Sequence, residues 1–576
     1  MSKTHQPHLE PSKLNDTSSG TPGLIASELV AEEELLLSHP NNYSSIAGDS
    51  DSIVAPKDDD KGYALTGVKL YTFITASLFA AFLSALDATV VSTLLGVIAS
   101  DLHQIPNMSW IATSYLLSAA AFQPLYGKIS DIFGRKPVLL ACSVFFGVGC
   151  FITSFKDFKC VIIGRFITGI GGSGFNAVTT IAMSDIIPLR DRGIFQGLGN
   201  VAYSIGAASG GILGGFVNDW LGWQYVFSIQ VPLSIGIGLV FLFFFVLPPG
   251  SPGLGSPGHA KEKLARIDFL GSFFLVSSLV TILLGTSLAG QYFPYISWTF
   301  GGLMLTAIVL LLVFVYVELN IAPEPILPVK LLTDRTVLSA SLTNWFMTMS
   351  CFTYLFYYPV YLTSVIQLPS SKVGLRVIAN FVGVSTGSLG AGIYMKRTGK
   401  YYGLNVVAVV AYWFGILSFL FLTPQSSASF QLVITFLPGW GYAIMLTVSL
   451  LALIAAVPSK FQAATTSIQY TSRFTGSTLG VCIASAIFQK ILYNQLTAAI
   501  PKVVNDADKA AEIISNALAD AEYSKTVSDA IRYIIVMCYE RACKGAFAFS
   551  FATGCLTCVV TLFIREHKLH SNLDRN

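Results

Sequence analysis

The sequence predicts an all-α integral membrane protein of about fourteen spans, and three observations lead there. Hydrophobic residues make up 53% of the 576 and charged residues only 12%, with a mean hydropathy of +0.63. A soluble domain carries about 25% charged residues, so this much apolar surface must face lipid. Apolar runs of roughly 18–26 residues, long enough to cross ~30 Å of hydrocarbon as helix, begin near Tyr71, Ser109, Val138, Val161, Phe195, Tyr225 and Asp268. They continue near Trp298, Leu338, Val373, Asn405, Phe430, Ala463 and Gly545. Inside a bilayer each backbone polar group must be satisfied within its own segment, so the runs are helices. Finally, Lys and Arg gather in alternate loops.

One set of loops holds Lys128, Arg135, Lys136, Arg190, Arg192, Lys261, Lys263, Arg266, Lys330, Arg335, Lys396, Arg397, Lys400 and Lys460. The other holds Lys156, Lys159, Lys372 and Arg376, apart from the long segment before the last span. The positive-inside bias puts the first set in the cytosol, and an even span count leaves both termini there. Residues 1–68 are polar and contain no apolar run long enough for a signal peptide. They are expected to form a disordered cytosolic tail. Pro248–Lys263 reads as a flexible Pro/Gly/Ser linker. The stretch 492–542, with helical periodicity and mixed charge, is expected to form a small lumenal or external cap.

Charges inside spans are costly and so point to function. Asp87 lies in the first span, Arg165 near the start of the fourth and Arg473 in the thirteenth, while Asp185, Asp268 and Glu318 sit at span ends. All seven histidines fall outside the spans, which leaves Asp87 as the one deeply placed acid. Burial favours the neutral form of a carboxyl and a nearby cation favours the charged form. A group held between the two can titrate as access changes, as a proton-coupled carrier requires. The alternative is a structural Asp87 that caps a kinked helix or pairs with Arg165. The nine cysteines lie mostly in apolar runs and read as packing. Cys555 and Cys558 have redox or zinc spacing but no second pair nearby, so no metal site is expected. Cys538 and Cys543 are near enough in sequence for a bridge.

Tyr126–Lys136 (YGKISDIFGRK) joins the second and third spans. Its glycines permit a tight turn, and Asp131 can accept from Arg135 or from helix N-termini. Such a charge cluster can latch one conformation. The segment resembles the signature loop G-x-x-x-D-x-x-G-R-[RK] of the major facilitator superfamily, with Gly127, Asp131, Gly134, Arg135 and Lys136 in register. Leu86–Val91 (LDATVV) is similar to the first-span motif of its fourteen-span drug:proton antiporters. Gly164–Gly172 resembles their fourth-span R-x-x-x-G motif, associated with proton coupling through Arg165. Trp223–Pro232 resembles their start of the sixth span. The fifth span departs from the antiporter pattern G-P-x-x-G-G, since Gly210, Gly211, Gly214 and Gly215 place glycine where proline is expected. Those glycines permit close helix contact, but the proline bend is gone, and packing alone is the competing reading.

The resemblance implies a major facilitator fold, with two six-helix bundles at 69–247 and 336–565 separated by a linker and two extra helices at 248–335. A short cytosolic tail, 566–576, would follow. The second bundle would carry the insert 492–542. Arg473, in a segment resembling the thirteenth-span R-x-x-G-x-x-x-G, would ligate a substrate carboxylate or satisfy carbonyls at a helix break. Polar candidates for a central cavity are Gln123, Asn176, Asn200, Tyr203 and Asn344. Tyr354, Tyr357 and Tyr358 add aromatic faces suited to a cation, though packing is the commoner use of aromatics.

In the tail, Glu32 to Leu37 with Leu36 and Leu37 fits an acidic dileucine sorting pattern, and Tyr43 to Ile46 a tyrosine-based one. A sorting adaptor could read both. The overall pattern looks most like fungal vacuolar basic amino-acid transporters. This implies proton antiport of Lys, His and Arg into the vacuole, with the bilayer, protons and a small cationic amino acid or drug as partners. A plasma-membrane multidrug exporter and a non-transporting nutrient sensor are the alternatives. No nucleotide loop, metal cluster or nucleophile elbow points to an enzyme, a cofactor or nucleic-acid binding.

Overall fold

The computed structural model describes residues 67–567 and 569, apart from 105–106, 248–250, 328, 369, 459–460, 505 and most of 290–296 and 520–526. The tail residues Glu32, Leu36, Leu37, Tyr43 and Ile46 lie outside the described residues, as does nearly all of the expected C-terminal tail. The described chain is helical, with one isolated bridge between Ala289 and Phe293.

The first bundle contains α1 (Gly67–Asp101), α2 (Ser109–Phe122), α3 (Tyr126–Phe133), α4 (Arg135–Thr153), α5 (Phe158–Ile186), α6 (Leu189–Leu221), α7 (Trp223–Ser228) and α8 (Gln230–Phe244). A short helix, α9 (Ala260–Ala265), leads to the pair α10 (Phe269–Leu288) and α11 (Trp298–Asn320). The second bundle follows, from α12 (Arg335–Ser364) and α13 (Ser370–Thr398) to α14 (Tyr402–Ser418), α15 (Ala428–Val433) and α16 (Phe436–Ala455). It closes with α17 (Gln462–Ala499), α18 (Ala507–Ala519) and α19 (Asp529–Thr561).

Eleven helical rods among the described residues are long and apolar enough to cross a bilayer by length and composition. Three more, Ser109–Phe133, Leu189–Leu221 and Arg335–Ser364, stand where spans are expected but are less apolar. Their composition has a physical reason. Where a helix face packs against a neighbour it needs small and hydroxylated residues for close contact rather than greasy ones. In α12, for example, Ser339, Ser341, Thr343, Asn344, Thr348, Ser350 and Thr353 are all buried. By contrast Trp298, Leu312 and Phe243, on the more apolar rods, are exposed as a lipid-facing side chain should be.

Glycines set the closest contacts. A Cβ at Gly164 would strike Thr153 of α4, and one at Gly171 would strike Phe146 and Cys142. On α6, Gly206, Gly210 and Gly214 recur every four residues and lie against Phe82, Leu86 with Thr89, and Val90 of α1. Gly211 only approaches Thr93, at 3.2 Å, and Gly215 meets nothing. The fifth-span motif is thus half contact face and half outward surface.

Two expectations are corrected. Pro248–Lys263 reads as flexible, yet Pro252–Leu254 forms a 3₁₀ turn seated on the loop between α3 and α4. Gly134 and Gly255, at φ +96° and +84°, lack the Cβ atoms that would keep the two backbones apart. Ser256 N–H donates to the Ile132 carbonyl at 3.0 Å. Cys538 and Cys543 are free and buried. Five residues apart on α19, they point to different sides of one helix.

The stretch 492–542 contains α18 together with continuations of α17 and α19, and the Tyr539 hydroxyl donates to Ala517 O at 2.7 Å. Two of the span-end acids satisfy backbone amides. Asp268 accepts from Gly271 N at 2.8 Å, and Glu318 from Ile326 N and Leu327 N at 3.1 and 3.4 Å.

Glu324, after α11, accepts from Lys128 at 2.8 Å and from Arg266 at 2.8 and 3.1 Å. The Arg266 hydrogen bonds hold its carboxyl below the usual carboxylate range. A depressed folded-state pKa stabilises above the unfolded value and loses that effect as pH falls through the folded one. At neutral pH Glu324→Gln should therefore cost about 0.5–1 kcal/mol, the scale of a solvent-screened network. Thermal midpoints of mutant and parent should converge in acid.

Candidate functional site

Between the bundles lies a cavity of about 330 Å³. Its polar lining includes Gln123, Asn176, Asn200, Tyr203, Tyr442 and Arg473, with hydroxyls from Ser and Thr around them. A 3₁₀ break at Gln123–Leu125, with Pro124 inside it, separates α2 from α3 and brings Gln123 to the cavity. Asn176 on α5 donates to Ser84 Oγ at 3.0 Å and to Gly172 O at 3.2 Å. Asn200 on α6 crosses to Ser388 Oγ of the second bundle at 2.9 Å. Arg473 on α17 sets its guanidinium over the Tyr470 ring, 5.2 Å from the centroid.

Asn344 and Tyr357 do not line the cavity. Thr348, Cys351, Phe352 and Leu355 form the cavity stripe of α12. Asn344 continues it one turn further, where its own bundle covers it. It is fully buried and bonded to Ala340 O at 2.8 Å and Ser449 Oγ at 3.0 Å. Tyr357 is half a helical rotation away from Thr348 and packs on Phe488 at 5.0 Å. Tyr354 reaches the site indirectly, donating to Asn380 Oδ1 at 3.0 Å, and Tyr358 donates to Gln431 O.

Asp87 and Arg165 are brought together. One terminal nitrogen of Arg165 reaches both carboxylate oxygens, at 2.7 and 2.9 Å, and the two side chains are 0% and 1% exposed. Such burial is tolerable only because each charge answers the other. The guanidinium also lies 4.5 Å from the Tyr115 ring centroid, while its Nε has no partner. Gly169, the glycine of R-x-x-x-G, lets α2 come this close, since a Cβ there would strike Ser118 and the Tyr115 carbonyl.

Neither charge lines the cavity, but a short polar route leads to it. A Cβ at Gly172 would meet Tyr115 Oη at 2.7 Å and Ser84 Oγ at 3.3 Å, so both hydroxyls flank that glycine. Ser84 donates to Gly172 O at 3.1 Å and accepts from Asn176, a cavity residue. Sequence reasoning missed Tyr115 and Ser84, because an uncharged side chain in an apolar run carries no signal of cost.

The Lys/Arg-rich end carries an ion cluster within the first bundle and contacts that cross the seam. Arg135 bridges Asp131 at 2.6 Å and Asp185 at 2.8 Å. Gly127 lies against Ala463 and Ser467 of α17. Lys136 is half-exposed and joins none of the ion pairs of the described residues. Further cross-bundle ties are Thr180–Tyr470 at 2.8 Å, Arg192–Gln462 at 3.0 Å and Arg190 to Lys396 O at 2.8 Å. Among the described residues, the polar ties between the two bundles run from mid-helix to this end.

A family model described as Major Facilitator Superfamily matches residues 77–268. The chain is 32% identical over 536 residues to a multidrug resistance protein, fnx1, of Schizosaccharomyces pombe, covering 92% of this chain and 99% of that one. It is 31% identical over 447 residues to vacuolar basic amino acid transporter 1 of Saccharomyces cerevisiae, covering 72% and 77%. The solved structure of the proton:xylose symporter XylE superposes with a TM-score of 0.56 at 13% identity, covering 88% of this chain and 98% of that one. Two helical bundles around a central cavity, the signature loop at their seam and these likenesses together place the chain in the major facilitator superfamily, as a multi-pass membrane transporter and not an enzyme.

Proposed function

We propose that this transporter moves basic amino acids (Lys, His, Arg) from the cytosol into the vacuole in exchange for protons. The observation that carries the reading is the Asp87–Arg165 pair, dry and buried one polar relay away from the cavity. The likeness to a vacuolar basic amino acid transporter supports the substrate and the membrane. The likeness to a multidrug resistance protein favours a second reading, a plasma-membrane drug:proton exporter. Domains 69–247 and 336–565 would rock about the cavity by alternating access. A sorting adaptor reading the tail would direct the protein to the vacuole.

In the cycle, the state closed at the Lys/Arg-rich end exposes the cavity to the acidic side. Opening of the Asp87–Arg165 pair lets Asp87 take a proton and frees Arg165. Tyr115, Ser84 and Asn176 transmit that change to whatever occupies the cavity. One proton falling through one pH unit supplies ~1.4 kcal/mol, and each 100 mV adds ~2.3 kcal/mol per net charge moved. Tenfold accumulation therefore lies within reach.

Asp87→Asn should abolish lysine uptake driven by a pH gradient in proteoliposomes while leaving lysine counterflow without a gradient. Gradient-driven uptake at the parental rate would remove Asp87 from the mechanism.

Arg135→Gln strands Asp131 and Asp185, and breaking such a pair costs ~3–5 kcal/mol where it is buried. Uptake should fall about tenfold or more. Spin labels at Lys136 and Lys400, on opposite bundles, should gain a longer-distance population. An unchanged distance distribution would show that the cluster is not a latch.

A further inference from the structure

The cavity lining contains a single charged side chain, Arg473, and no carboxylate. None of the ion pairs of the described residues involves Arg473. The groups that face it are the phenols of Tyr442, Tyr470 and Tyr203, and below it Tyr470 offers its ring. The two other deep charges, Asp87 and Arg165, are engaged with each other. An arginine in a low-dielectric pocket keeps its charge, and an uncompensated charge there draws in an anion.

The opposite wall differs in chemistry. Asn176 spends its amide N–H groups on Ser84 and Gly172 O, which leaves its Oδ1 as an acceptor toward the cavity. Gln123 and Asn200 add further amides. These residues belong to the first bundle and Arg473 to the second. The one charged side chain of the lining thus stands on the second half, facing amides of the first across the seam.

We propose that Arg473 is a carboxylate-binding residue, and that the transported molecule is an α-amino carboxylate held with its carboxylate on Arg473 and its ammonium toward Asn176 and Gln123. This deepens the transport reading above, on which it rests. It has a consequence for selectivity: diamines and cationic drugs without a carboxylate leave Arg473 uncompensated and are rejected. A substrate that bridges the two walls also draws the bundles together, so binding favours closure around it.

The test uses the full chain in proteoliposomes with an acidic lumen and labelled lysine as the probe. Unlabelled lysine, lysinamide and cadaverine compete. Lysine should compete about tenfold to a hundredfold better than the two compounds without a carboxylate, the factor expected of a hydrogen bond between charged groups. Arg473→Gln should flatten that ratio toward one, and Arg473→Lys should restore part of it. Equal competition by cadaverine in the parent, or a parental ratio in Arg473→Gln, overturns the assignment. The same comparison can be read without transport, as protection of the detergent-purified protein against heating by histidine and histidinamide. Carboxylate-dependent protection without gradient-driven lysine uptake supports the arginine site and sinks the antiport reading. Absence of carboxylate-dependent protection sinks the arginine site itself.

Discussion

Asp87 on α1 and Arg165 on α5 are withdrawn from water almost completely, and each is tolerable there only because of the other. Removing one partner would leave a buried, unanswered charge, at a cost of ~3–5 kcal/mol. The geometry of the first bundle follows from keeping them in contact. Gly169 brings Tyr115 over the guanidinium, and Gly206, Gly210 and Gly214 bring α6 onto α1 on either side of Asp87. The register of four helices is thereby tied to one ion pair, and the cavity wall that carries Asn176 inherits it.

Much of this was legible in the sequence, for reasons that differ from part to part. Hydrocarbon thickness sets helix length, so most rods could be placed by counting apolar residues. Charges in apolar runs stand out because they are expensive, and Asp87, Arg165 and Arg473 were found that way. The acidic and basic residues of the α3–α4 loop were found by spacing, but Asp185, the second partner of Arg135, lies 50 residues away and was seen only as a span-end acid.

What failed to show depends on rotation and on tertiary contact. Hydropathy does not fix the phase of a helix that is buried on every side, so Asn344 and Tyr357 were assigned to a cavity that α12 lines with other residues. Tyr115 and Ser84 escaped because they carry no charge. The last helix starts at Asp529 rather than near Gly545, since Asp529–Lys544 mixes charged with apolar residues and packs on α17 and, through Tyr539, on α18. The linker reads as slack because Pro and Gly make unfolded chains flexible, whereas here the same glycines allow a backbone contact that no larger residue permits.

That seated turn changes which parts of the molecule count as one body. Pro252–Leu254 rests on α3, α4 and α5, all in the first bundle. Four residues beyond Ser256 the chain enters α9, and Arg266 then anchors on Glu324, which also holds Lys128. The pair α10–α11 is therefore tied to the first half through Lys128 and Glu324, while Ile468 of α17 joins its apolar cluster. Any rocking of the two bundles would then carry α10 and α11 with the first, as ballast on the heavier side.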